Sequence, residues 1–231
     1  GTLSNDTVTY AYAAASVSVS LAITASQNTG SAGSDILTNI DNLIGSHYND
    51  NLTGNAQNNV LDGGIGADTL VGGLGNDSYI IDIIGDVVTE KFNGGIDKVN
   101  SSVTYTLPGN VENLTLIGTL AINGTGNGQA NKITGNSANN QLVGGAGNDT
   151  LDGSTGTNNL TGGAGNDVFK FTTTGHVDTI TDYNVVNDTI QLENAVFTAL
   201  TTIGALVASR FRVGTRAVDA GDFVIYNSTT G

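Results

Sequence analysis

The 231-residue sequence has no cysteine, no methionine and no tryptophan, and its single proline is Pro108. Without cysteine, neither a disulfide nor a thiolate metal site can hold the fold, so an extracellular chain of this kind needs another staple. The missing methionine, initiator included, is what a processed product or an excised fragment would show. No apolar run approaches ~18 residues, which excludes a transmembrane helix, and no signal peptide is visible. Basic residues are scarce too: seven Lys and Arg stand against 21 acids, for a net charge of -14. That balance argues against nucleic acid as a partner.

Glutamate is nearly absent among those acids. Eighteen of the 21 are Asp, leaving only Glu90, Glu112 and Glu193. Glu suits helix surfaces, whereas Asp and Asn favour turns and tolerate left-handed geometry. With 33 Gly besides, the chain reads as loop and strand.

What is present is repetition. GGAGNDTLDGSTGTNNLTGGAGND, residues 144–167, begins one nine-residue phrase three times: Gly-Gly-x-Gly-x-Asp, then x, a large apolar residue, and x. Set in nines, a first block reads GSHYNDNLT, GNAQNNVLD, GGIGADTLV, GGLGNDSYI and IDIIGDVVT over 45–89. A second reads GNGQANKIT, GNSANNQLV, GGAGNDTLD, GSTGTNNLT and GGAGNDVFK over 126–170, and one earlier copy, GSAGSDILT, stands alone at 30–38. The eighth place is always apolar: Leu52, Leu61, Leu70, Tyr79 and Val88, then Ile133, Leu142, Leu151, Leu160 and Phe169. A three-residue strand after a six-residue turn points that one side chain inward. One inward residue in nine cannot bury a core alone, but stacked coils cover one another.

The four GGxGxD copies resemble the repeats-in-toxin family of hemolysin-type calcium-binding proteins, over roughly residues 30–89 and 126–190. The resemblance implies an all-β chain: a parallel β-roll, or β-helix solenoid, of nonapeptide repeats with two nonapeptides per turn and a small β-rich C-terminal cap. It also implies several Ca2+ ions, held between loops 18 residues apart on one edge. The implied metal residues are Asp50, Gly63, Gly64, Gly66, Asp68, Gly72, Gly73, Gly75, Asp77, Asp82 and Asp86 in the first block. In the second they are Gly144, Gly145, Gly147, Asp149, Gly162, Gly163, Gly165 and Asp167. Calcium takes six to eight hard oxygens, carboxylates among them, and glycine at positive φ turns loop carbonyls inward.

If consecutive copies lie on opposite edges, sixth-place residues compare two copies apart. In the second block one edge carries Asn131, Asp149 and Asp167 and the other Asn140 and Asn158; in the first, Asp50, Asp68 and Asp86 oppose Asn59 and Asp77. Between Asn140 and Asn158 no charge offsets the ion's lost hydration, so a weak or empty site with amides bonded along the edge is expected there. Asp35, Asp41 and Asp97 stay ambiguous as ligands.

The expected organisation is an N-terminal lead-in to the solenoid over 1–44, a first calcium-binding block over 45–89 and a repeat-poor bridge over 90–125. A second calcium-binding block over 126–170 and a cap over 171–231 complete it. Alternation in VSVSLAI, SVTYTL and VENLTLIG reads as strand. The cap holds HVDTITDYNVVNDTIQL, the three arginines Arg210, Arg212 and Arg216, and a short helix expected near 194–200. The family pattern usually continues past YNSTTG, so the natural chain is expected to run on.

Enzyme readings find little support. The two histidines, His47 and His176, form no H-E-x-x-H, and no G-x-S-x-G elbow occurs. GTGNGQ at 124–129 starts a repeat and is not a dinucleotide loop. Asp178 and Asp182, with Asp188 beyond, read as ligands or turn residues in preference to a catalytic pair. The sequence therefore points to a non-catalytic, secreted, calcium-dependent folding module. The resemblance implies export of the unfolded chain by type I secretion machinery. The alternative is an adhesin, glycan-binding or surface-layer module at the cell surface.

Overall fold

The computed structural model describes residues 5–193, 195, 211–213 and 224–226, all strand, turn or loop with no helix among them. The nine-residue phrase becomes half a coil. A strand of about three residues follows each loop, and parallel pairing joins strands two copies apart. Asn51 thus faces Thr69, Val60 faces Ser78, and Thr150 faces Val168, each a step of 18 residues. Successive copies fall on opposite faces, which makes a parallel β-roll.

One face is a continuous ten-stranded sheet. Its strands are Thr7–Thr9, Asn42–Ile44, Val60–Asp62, Ser78–Ile81, Lys98–Ser101, Asn113–Leu116, Lys132–Thr134, Thr150–Asp152, Val168–Phe171 and Thr189–Leu192. The other face is in two pieces. Four strands, Ser18–Ser20, Asn51–Thr53, Thr69–Val71 and Val87–Thr89, make the first piece. Five strands, Tyr105–Thr106, Gly124–Thr125, Gln141–Ala146, Asn159–Ala164 and Thr179–Ile180, make the second. Residues 90–104 interrupt this face but not the first. Across them the ten-stranded sheet takes steps of 20, 15 and 19 residues (Ser78 to Lys98, Lys98 to Asn113, Asn113 to Lys132) and keeps its pairing.

The eighth-place side chains form the core. Leu43, Leu61, Tyr79, Val99, Leu114, Ile133, Leu151 and Phe169 stack in register along the ten-stranded face, and all are buried. Leu52, Leu70, Leu142 and Leu160 oppose them from the other face. Fully burying a side chain of this size stabilises by roughly 1.5–3 kcal/mol, and the coils contribute one from each face except where Gly124 stands between Tyr105 and Leu142.

The lone copy at 30–38 is not a coil. Its Ser34–Asp35 pairs antiparallel with Gln27–Asn28, and Asp35 accepts hydrogen bonds from the Tyr10 hydroxyl (3.0 Å) and the Thr29 hydroxyl (2.8 Å). Past Phe171 the strands Thr179–Ile180 and Thr189–Leu192 add to both sheets, and Phe211–Val213 pairs in parallel with Val224–Tyr226. The helix expected near 194–200 lies outside the described residues. So do Arg210, Arg216 and the Arg212 side chain.

Candidate metal centre in the repeat loops

The sixth-place side chains are buried at the turns and stitch the coils together. Each carboxylate accepts, through Oδ1, the sixth-place N–H of the preceding coil. Asn131 N–H donates to Asp149 (2.8 Å), Asp149 N–H to Asp167 (2.9 Å) and Asp167 N–H to Asp188 (3.0 Å). On the same face Asn59 N–H donates to Asp77 (2.7 Å), Asp77 N–H to Asp97 (2.7 Å) and Asp97 N–H to Glu112 Oε2 (2.8 Å). On the four-stranded face Asp50 N–H donates to Asp68 (2.7 Å) and Asp68 N–H to Asp86 (3.1 Å). The ladder thus runs through the bridge, where Asp97 and Glu112 hold its rungs.

The second carboxylate oxygen separates two kinds of loop. In the four GGxGxD loops, Oδ2 of Asp68, Asp77, Asp149 and Asp167 is buried and has no hydrogen-bond partner. Glycine at places two and four explains this. Both have positive φ in all four loops, as at Gly145 (+112°) and Gly147 (+111°), and this backbone turns the second-place N–H away from the carboxylate. Where place two is Asn the loop closes on itself, whereas Ser154, at φ +61°, turns its N–H to Asp152 Oδ1 (2.9 Å). Asn127 N–H donates to Asn131 Oδ1 (2.7 Å), Asn136 N–H to Asn140 Oδ1 (3.0 Å) and Asn55 N–H to Asn59 Oδ1 (2.7 Å). Asp50 belongs to this closed kind: Ser46 N–H bonds its Oδ2, while Val17 N–H (2.7 Å) and the Ser46 hydroxyl (2.9 Å) bond its Oδ1. Asp86 Oδ2 likewise takes weak bonds from Asp82 N–H (3.3 Å) and Ile83 N–H (3.4 Å), and Asp82 itself is exposed.

The first-place glycines line the space before each orphaned oxygen. A Cβ at Gly144 would collide with Asp149 Oδ2 and with the Gly162 carbonyl oxygen, and one at Gly63 or Gly162 would collide with Asp68 or Asp167 Oδ2. Carboxylate and carbonyl oxygens from successive coils therefore converge on one small space, a donor set suited to a hard cation. Burial pushes Asp68 and Asp149 up to about 6, against the bond each accepts from the coil before, with neighbouring carboxylates adding to the rise. Burial raises Asp77 to about 7 and raises Asp82, Asp86 and Asp167 as well. Left alone, these groups hold their protons to a higher pH than an ordinary carboxyl.

A sequence model of the RTX calcium-binding nonapeptide repeat matches residues 44–79 and 134–169, in four copies. The chain carries RTX calcium-binding repeats. Calcium is the ion that such repeats bind, and the orphaned oxygens suit it. No curated protein matches the chain.

On the amide edge Asn140 N–H donates to Asn158 Oδ1 (2.9 Å), and Asn158 Nδ2 donates to Asp178 Oδ1 (2.9 Å). Asp178 and Asp182 accept backbone N–H groups of Asn158, Gly162 and Gly163 at 2.8–2.9 Å, and so cap the coil before them. The difference between open and closed loops escaped the sequence reading, although glycine at place two marks the four loops with an orphaned oxygen. Glu90, Asp97 and Glu112 sit outside full repeats, and only GGID at 94–97 hints at a rung there.

Proposed function

We propose that this chain is a calcium-dependent folding module of a secreted protein, in which open loops hold calcium and thereby tie coil to coil. The orphaned, buried Oδ2 in each GGxGxD loop carries this reading. Asp68, Asp77, Asp149 and Asp167 supply carboxylate oxygen, and loop carbonyls such as that of Gly162 supply the rest. Asp50 and Asp86 have their oxygens engaged by their own loops and serve as rungs. Bound calcium supplies the positive charge that offsets the buried carboxylates.

The energetics fit a switch. An extracellular-type site has a Kd of roughly 10⁻⁴–10⁻³ M. At about 10 mM calcium and a Kd of about 1 mM, each site adds about 1.4 kcal/mol, and at cytosolic calcium almost nothing. The chain would therefore cross a type I channel unfolded and fold outside, where the ion is plentiful. No helix among the described residues is long and apolar enough to cross a membrane.

The test is a calcium titration of chelated protein, followed by far-UV circular dichroism with bound ions counted by calorimetry. A cooperative gain of β-structure with several ions bound supports the proposal. A chain already folded in chelator and binding no calcium overturns it.

A further inference from the structure

One group of acids lies where the second face of the roll is interrupted. Asp77 ends the last full GGxGxD loop of the first block, Glu90 follows the strand Val87–Thr89, and Asp97 occupies the bridge. All three are buried, at 2%, 8% and 0% exposure. One carboxylate oxygen from each lies within 4.8 Å of the others. Asp77 and Asp97 spend Oδ1 on the ladder, and Oδ2 of each is left buried with no partner. Glu90 Oε1 accepts a short hydrogen bond from the hydroxyl of Tyr79, the inward side chain of this coil, and Oε2 accepts Lys91 N–H (3.1 Å). A Cβ on Gly72 would collide at once with the Tyr79 hydroxyl, Glu90 Oε1 and Asp77 Oδ2, so these oxygens face one space.

Three buried carboxylates cost heavily unless paired or bound to metal. Among the described residues no lysine or arginine forms an ion pair with any of them. Oxygens within 4.8 Å of one another fit inside a calcium shell, which is about 4.6–5.2 Å across at Ca–O distances of about 2.3–2.6 Å.

We propose that Asp77, Glu90 and Asp97 form a side-chain-built cation site that takes calcium and pins the interrupted face of the roll to the coils beside it. The proposal rests on the calcium reading of the loops and extends it to Glu90 and Asp97, which lie outside the matched repeats. Three carboxylates bring more charge than the carboxylate-and-carbonyl set of an ordinary loop, so this site fills first in a titration.

The experiment counts calcium bound to the full chain by calorimetry in wild type, Glu90→Gln and Asp149→Asn. Terbium luminescence, excited through tyrosine, is read in wild type and Tyr79→Phe. The chain has no tryptophan, so tyrosine is its antenna. Glu90→Gln is expected to bind one ion fewer and to lose the tightest step, weakened about tenfold or more, while Asp149→Asn keeps that step and loses a weaker one. Tyr79→Phe is expected to lose the terbium emission that appears first. Unchanged ion count and tightest step in Glu90→Gln, or unchanged early emission in Tyr79→Phe, overturns the site while leaving the loop reading intact. A wild type that binds no calcium overturns both.

Discussion

Asp149→Asn gives the sharpest test of the orphaned oxygens, because its effect should depend on calcium. Asp149 is fully buried; its Oδ1 accepts Asn131 N–H at 2.8 Å and its Oδ2 has no partner. Burial pushes it from 3.8 to about 6, so keeping it ionised near neutral pH costs about 3 kcal/mol without an ion. The amide keeps the rung and removes the charge. Its new Nδ2 donor has the Gly162 carbonyl nearby, and Asn140 Nδ2 shows the same solution by donating to the Ile122 carbonyl (2.6 Å). In chelator the variant should be more stable than wild type by about 2–3 kcal/mol. At about 10 mM calcium wild type gains about 1.4 kcal/mol from a site that the variant has lost, so the variant's advantage should shrink to about 1 kcal/mol. Guanidinium denaturation followed by circular dichroism in both buffers measures the two differences. If wild type shows no transition in chelator, the appearance of one in the variant is the expected sign. A variant weaker than wild type in chelator, or one whose advantage is the same in both buffers, would refute the account of Oδ2 as a ligand oxygen.

The calcium-free chain should lose stability as pH rises from about 4 to about 7. Its buried carboxyls, Asp68, Asp97 and Asp149 at about 6 and Asp77 at about 7, hold protons in the folded state that the unfolded chain has released, so folding is favoured below that window and opposed above it. Denaturation in chelator across pH checks this, and calcium affinity should fall as pH drops below about 6. Gly163→Ala should cost about 2 kcal/mol or more, since φ is +99° and the new Cβ would strike the Gly145 carbonyl oxygen. Gly128→Ala meets nothing within 4 Å and should change stability by less than about 0.5 kcal/mol in the same melt. Asn127→Ala should cost about 1–3 kcal/mol with or without calcium, because its side chain bonds the Pro108 (2.7 Å) and Val111 (2.8 Å) carbonyls and Gln129 N–H (2.9 Å). An effect that vanished in calcium would count against the closed-loop assignment.

Much of this protein was legible from its sequence because a solenoid is nearly one-dimensional. A period of nine with an apolar eighth place, taken with the two nonapeptides per turn that the family resemblance implies, makes i and i+18 neighbours and places Leu43 over Leu61 and Leu151 under Phe169. Glycine at places two and four announces positive φ, and acids at the sixth place of those loops announce a hard cation. Which oxygen is left free is another matter. It depends on where the place-two N–H points, so Asp50 and Asp68, both sixth-place acids, end as a satisfied rung and a carboxylate with one oxygen unpartnered. The copy at 30–38 matches the phrase and yet forms an antiparallel hairpin, because its partner strand Gln27–Asn28 is local. Glu90, Asp97 and Tyr79 meet across coils of unequal length, a contact no repeat period encodes. Periodic neighbours follow from the sequence; the fate of each carboxylate oxygen and the acid cluster at the interruption follow only from how loop backbones turn and irregular coils close in three dimensions.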